Sequence, residues 1–327
     1  MSTELGRSSM GNTPLRGPAV LAFDRYEAKL AQKLAPRSTA WVARLADYLE
    51  LTKPRIVVLE LLVAGVSACL ATPRALHLWL VLHALGGTAL VAASASIANS
   101  WIERRRDARM ARTASRPLPT GRVGALEALA LSALTLVLGI CWLLWRVGHW
   151  TALLGMASWL IYVVIYTPLK TRTTLNTAIG AVAGAIPVLM GWTATGMPLN
   201  LTALALAAVV FLWQFPHFMA IAWLYREDYA AGGHKMLPVV DPSGFRSGSQ
   251  AMVGALLLIP VSLVPALSPT SGSPLVYSLW AVGMGLAQLT LAFRFACCRD
   301  DMSARRLLRA TLLYLPAWLV VLLMVTL

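Results

Sequence analysis

Residues 99 to 122 read Asn-Ser-Trp-Ile-Glu-Arg-Arg-Arg-Asp-Ala-Arg-Met-Ala-Arg-Thr-Ala-Ser-Arg-Pro-Leu-Pro-Thr-Gly-Arg. Asn99, Glu103 and Asp107 recur at every fourth position, and on a helix that spacing stacks three oxygen-bearing side chains on one face over two turns. Hard oxygen donors so arranged suit Mg²⁺, which takes one or two carboxylates and completes its octahedron with water and substrate phosphate. Seven arginines share the segment, and their planar forks can hold phosphate oxygens in pairs. Arg109, Arg112 and Arg116 are the candidate phosphate contacts, and metal-assisted chemistry on a diphosphate is the reaction class. The bland alternative is a solvated helix extension, held by i, i+4 pairs and rich in arginine because it faces the inner side of a membrane; spacing alone leaves both standing.

A second chemistry-bearing stretch runs from Trp213-Gln-Phe-Pro-His217-Phe218 to Tyr225-Arg-Glu227-Asp228-Tyr229 and on to Gly233-His-Lys-Met-Leu-Pro238. His217 falls within an apolar run, where an ionisable group faces a cavity or a partner rather than lipid; a buried histidine with one backbone hydrogen bond is the competing account. Glu227 and Asp228 are placed to hold a second metal, or the first from the opposite side, unless they are an interfacial acid pair between Arg226 and Lys235. Between the two stretches lies Tyr166-Thr-Pro-Leu-Lys170-Thr-Arg172. Lys170 and Arg172 could reach a phosphate, although two basic residues are expected at an inner membrane edge anyway. Trp101, beside Asn99, is expected in the wall of the site, where its ring face would stabilise a cation.

The elements that must position these groups are membrane helices. The chain is 58% hydrophobic and only 13% charged over 327 residues, too little charge to solvate a globular domain of that size. Breaking it at Pro, Gly and charged clusters gives nine apolar spans: 55–72, 76–98, 124–145, 150–167, 176–195, 199–224, 251–268, 275–294 and 308–327. With the N-terminus inside, 26 of the 28 Lys and Arg fall on inner segments and only Arg74 and Arg146 outside, which decides the orientation and supports an odd number of spans. Residues 1–50 form a cytoplasmic tail without the apolar core of a secretory signal, with an interfacial helix expected between Phe23 and Tyr48. Residues 51–327 form one helical domain, and its two acid-and-base loops, four helices apart, are expected to meet over one cavity. Four cysteines, Cys69, Cys141, Cys297 and Cys298, lack the C-x-x-C spacing of a zinc site.

The combination of motifs resembles the UbiA-type intramembrane prenyltransferases. The resemblance is carried by Asn99-x3-Glu103-x3-Asp107, by Arg112-Thr-x2-Arg116-Pro-Leu-Pro-x-Gly-Arg122, and by Asp47-Tyr-Leu-x2-Thr-Lys53-Pro-Arg55. Tyr166 to Lys170, Trp213 to Phe218 and Asp228 to Pro238 complete it, and it runs from about Asp47 to the C-terminus. It implies an all-α, nine-helix bundle whose central cavity opens to the cytoplasmic side, with two acidic motifs bracketing Mg²⁺ and an isoprenoid diphosphate. Asn99, Glu103, Asp107 and Asp228 would then be catalytic. Asn99, Glu103, Asp107, Glu227 and Asp228 would be metal ligands. Lys53, Arg55, Tyr166, Lys170, Arg172, His217 and Trp101 would join the three arginines in holding substrate.

The last two segments point, within that family, to transfer of a farnesyl group from farnesyl diphosphate to a vinyl group of heme B, with water adding. On that resemblance heme is substrate, Mg²⁺ is the cofactor, the bilayer is the setting, and the enzyme that next modifies the heme is a candidate partner; nucleic acid is not. A bacterial plasma membrane, with the C-terminus outside, fits the arginine-rich composition. Two departures stand out: Glu103 where the family more often has Asp, and Arg105 where a further acid is common. The competing readings are a sister enzyme that prenylates an aromatic acid or quinone precursor, and an anion transporter. The transporter leaves three oxygen side chains on one face unexplained.

Overall fold

The computed structural model describes residues 37–73, 77–267 and 273–326. The chain divides into two compact units, Met1–Ala46 and Asp47–Leu327. Of the expected interfacial helix, residues 23–36 lie outside the described residues. Helix α1, Arg37–Thr52, begins in the first unit, where Trp41, Val42 and Leu45 are exposed.

Among the described residues the fold is all-α, and nine helices are long and apolar enough to cross a membrane. They are α2 (Pro54–Ala71), α3 (Leu78–Asp107), α4 (Ala125–Arg146), α5 (His149–Leu169), α6 (Asn176–Ala194), α7 (Leu201–Leu224), α10 (Phe245–Leu267), α11 (Pro274–Cys298) and α12 (Asp301–Thr326). Two short helices, α8 (Arg226–Ala231) and α9 (Leu237–Val240), lie between α7 and α10. Lipid leaves backbone amides no partner but their own helix, which is why the apolar segments take this form.

Several helices outrun their apolar stretches. α3 continues from the predicted end at 98 to Asp107, α10 starts at Phe245 rather than 251, and α12 starts at Asp301 rather than 308. Hydropathy detects only the part facing lipid, whereas the hydrogen-bond ladder propagates into water at little cost once nucleated. The extension of α3 matters most, because it places the whole acidic motif on one rigid helix.

The helices pack closely. A Cβ added to Gly191 of α6 would stand 1.9 Å from the carbonyl oxygen of Ala64 on α2, so the two backbones touch. Such small residues are what lets helices approach in lipid, where no hydrophobic gradient drives them together. The main core runs from this contact across the bundle, joining Val63 of α2 and Val188 of α6 to Val209 and Trp213 of α7 and to Leu258, Tyr277, Leu315 and Trp318 from α10, α11 and α12. In α5 the segment Ile161–Tyr166 is a π-helix that ends two residues before Pro168, which has no amide with which to bond back. That wider turn carries Tyr162 and Tyr166 to the interior.

Candidate functional site

Asn99, Glu103 and Asp107 are buried on the inward face of the last two turns of α3. Asn99 and Glu103 are joined directly, Asn99 Nδ2 donating to Glu103 Oε2 at 3.0 Å. A second donation, from Asn99 Nδ2 to Thr167 Oγ1 at 3.0 Å, ties the motif to the end of α5.

Each of the three faces a cation. Lys53 Nζ donates to Asn99 Oδ1 at 2.6 Å, Lys170 Nζ to Glu103 Oε2 at 3.0 Å, and Arg116 Nη1 to Asp107 Oδ2 at 3.1 Å. Lys170 Nζ is equally close to Glu103 Oε1, an atom that makes no hydrogen bond of its own. Lys53 occupies the junction of α1 and α2 in the left-handed backbone region, φ 53° and ψ 60°, uncommon for a residue with a Cβ. Burial, then the neighbouring Lys170 ammonium, push the Lys53 amine down to about 7. Burial acts the same way on Lys170, but Glu103 together with Tyr166 and Tyr162 outweighs it and holds that ammonium above its ordinary value.

The loops close over this cluster from three sides. Thr113 Oγ1 donates to the Asp107 carbonyl at 2.9 Å, folding the arginine loop back on α3. Arg122 bridges Asp47 and Glu50 of α1 at 2.9 and 3.3 Å, and Tyr48 donates to Glu127. The two acid-and-base loops do meet: Ala111 N donates to Asp228 Oδ1 at 2.9 Å, and the Arg112 guanidinium lies 4.6 Å from the Tyr225 ring centre and 5.5 Å from that of Tyr229. Lys235 N donates to the Lys170 carbonyl at 2.6 Å, which brings the second loop to the turn after α5.

Beneath the cluster lies a cavity of about 430 Å³, within the range of small-molecule sites. Arg55 and Tyr166 line it, and Lys170 Nζ sits 4.6 Å from the Tyr166 ring centre, so its walls begin where the basic residues end. His217 lines it as well, its ring stacked on Trp213 at 4.8 Å and its Nδ1 2.9 Å from Thr311 Oγ1.

Asn99, Glu103, Asp107, Arg116, Lys53 and Lys170 therefore converge, with Arg55, Tyr166 and His217 in the adjoining cavity wall. Five other candidates stand apart. Trp101 packs with Leu51, Ile97 and Leu118 instead of lining the cavity; two residues along a helix is about 200° of rotation, so it cannot share a face with Asn99. Arg109, Arg112, Arg172 and Glu227 are exposed. Glu227 is turned out while its neighbour Asp228 receives the amide of Ala111, as adjacent positions of α8 must diverge.

Sequence reasoning passed over Thr167, His234 and Glu60. His234 is buried beside Glu103 with no partner for Nδ1, and burial lowers its basicity. Glu60 carries a signal that is visible in the chain, a lone acid within the apolar run of α2.

Among the described residues no three His, Cys, Asp or Glu side chains converge to form a metal cage. The donor set nevertheless fits Mg²⁺: hard oxygens from Asn99, Glu103 and Asp107, with Glu103 Oε1 buried and free of hydrogen bonds.

Residues 61–324 match the UbiA prenyltransferase family. The chain is 41% identical over 282 residues to the protoheme IX farnesyltransferase of Solibacter usitatus, covering 83% of this chain and 96% of that one. Among solved structures it superposes on digeranylgeranylglyceryl phosphate synthase with a TM-score of 0.73 at 16% identity, over 87% of this chain and 99% of that one. A UbiA homolog from Archaeoglobus fulgidus bound to DMAPP and Mg²⁺ superposes with a TM-score of 0.64 at 17% identity, over 85% and 99%.

Proposed function

The chain belongs to the UbiA prenyltransferase family, and from that premise we propose that it transfers the farnesyl group of farnesyl diphosphate to a vinyl group of heme B, with addition of water, giving heme O and diphosphate. The observation that carries the reading is the placement of a buried oxygen-and-cation cluster directly above an apolar cavity, which is what a ligand with a charged head and a hydrocarbon tail requires.

Asn99, Glu103 and Asp107 would hold Mg²⁺, with Asp228 approaching from the facing loop; Glu227, turned out in this structure, is the least suited of the five candidates. A divalent metal held by these oxygens would supply positive charge against the diphosphate as the allylic C–O bond breaks. Arg116, Lys53 and Lys170 hold the diphosphate from the other sides, and Arg109, Arg112 and Arg172 supply further positive charge at the surface. Tyr166 and Arg55 mark the boundary between head and tail. The apolar walls keep water from the farnesyl cation until the vinyl carbon attacks it. His217, its Nδ1 engaged by Thr311, offers Nε2 to the heme iron or a propionate.

The decisive test offers purified protein Mg²⁺, labelled farnesyl diphosphate and either heme B or 4-hydroxybenzoate, with products identified by mass. Label in heme alone is expected. Prenylated hydroxybenzoate with untouched heme would move the protein to the sister activity.

The setting is a bacterial plasma membrane, with the N-terminus and the metal site cytoplasmic and the C-terminus outside, and the enzyme that next modifies the heme is a candidate partner. The distribution of basic residues supports this orientation. Cys297 and Cys298, both exposed at the end of α11, are expected to react with an impermeant thiol reagent in inside-out vesicles. Equal labelling in intact cells would reverse the topology.

A further inference from the structure

Among the described residues, Glu60 is the only carboxyl lining the cavity. It is the seventh residue of α2, so it stands about 9 Å along the helix axis from Pro54, below the level at which Lys53 meets Asn99. Its side chain makes no hydrogen bond or ion pair with any described residue. Tyr162, across the wall, lies within electrostatic reach of it. An acid in the hydrocarbon layer is costly, and one that ties no helices together has no structural return for that cost.

We propose that Glu60 is the base that takes the proton from the water added to the heme vinyl group. The inference rests on the heme-acceptor reading above. In that reaction the allylic C–O bond breaks and its electron pair leaves with diphosphate. The vinyl π pair forms the new C–C bond to the farnesyl carbon, leaving positive charge on the carbon attached to the porphyrin. A water oxygen then bonds to that carbon, and one of its protons passes to the Glu60 carboxylate. The acid so formed returns its proton to the departing diphosphate.

A base is needed because the porphyrin stabilises the cation: water adds reversibly, and the oxonium loses water again unless a proton is removed. The alternative fate is loss of a proton from the neighbouring CH₂ to diphosphate, giving an alkene lighter by one water. The other polar groups in the wall are unsuited to the task. Gln214 donates its amide to the carbonyls of Ala181 and Val210 at 3.0 and 3.2 Å. His217 has one nitrogen on Thr311 and, in the heme-acceptor reading, turns the other toward the heme, and the tyrosines are donors at neutral pH.

The test compares the full-length wild type, Glu60→Gln and Glu60→Asp in detergent with Mg²⁺, heme B and farnesyl diphosphate, following diphosphate release and the ratio of hydroxylated to dehydrated farnesyl heme by mass. Because the ratio is set within each turnover, it is independent of how much protein is folded. Glu60→Gln is expected to lower the ratio on the order of a hundredfold, as loss of a general base does, while diphosphate release persists; Glu60→Asp is expected to restore part of it. An unchanged ratio in Glu60→Gln, or equal loss of both products, overturns the proposal. Absence of farnesyl heme from the wild type itself would instead sink the heme-acceptor reading, and the role of Glu60 with it.

Discussion

Asp107→Asn is expected to cut turnover about a hundredfold or more, the equivalent of about 3 kcal/mol of transition-state stabilisation, and to leave the protein folded. Asp107 is buried at the end of α3 and accepts from Arg116 at 3.1 Å, while its backbone carbonyl holds Thr113. Asparagine keeps an oxygen for Arg116 and leaves the backbone bond untouched, so the arginine loop should stay in place. What it removes is the negative charge proposed to secure the metal. Diphosphate release by the purified variant, set beside its thermal unfolding, separates the two effects. Glu103→Asp keeps the charge on a shorter arm and should do far less harm. Full activity in Asp107→Asn would remove the metal role assigned to this residue.

Lys170→Met is expected to have the largest effect on stability, about 3 to 5 kcal/mol in metal-free protein, because it strands a buried carboxylate. Both partners of the pair are enclosed, with side-chain exposures of 14% for Lys170 and 7% for Glu103. Glu103 then keeps only the hydrogen bond from Asn99. A divalent cation binding the freed oxygens should recover part of the loss, so Mg²⁺ should raise the unfolding temperature of Lys170→Met more than that of the wild type. Equal stability of the two proteins, or an equal response to Mg²⁺, would show that the ammonium is not occupying cation-binding ground.

Some of this architecture is legible in the chain because it depends on local periodicity and on solvent. The desolvation cost of unpaired backbone groups turns each apolar run into a spanning helix, so nine spans can be read without a structure. The same holds for the acidic motif: i, i+4 spacing is a property of any helix, and Asn99, Glu103 and Asp107 share a face as soon as α3 runs on to Asp107. The position of Trp101 was also within reach of helical geometry, since a residue two places from Asn99 must face elsewhere.

Other features depend on how distant helices are brought together. Lys53 reaches Asn99 across 46 residues, and Lys170 reaches Glu103 across 67. Both are ordinary basic residues at an inner membrane edge until packing buries them against oxygen. Arg109 and Arg112 belong to the same loop as Arg116, yet only Arg116 turns inward to Asp107. Glu60 is equally undecided in sequence, because an acid in an apolar run can turn to lipid, to a partner helix or to a cavity. Only the packing of α2 against α6 and the bundle around it sets which face looks inward, and close packing rather than hydropathy makes that choice.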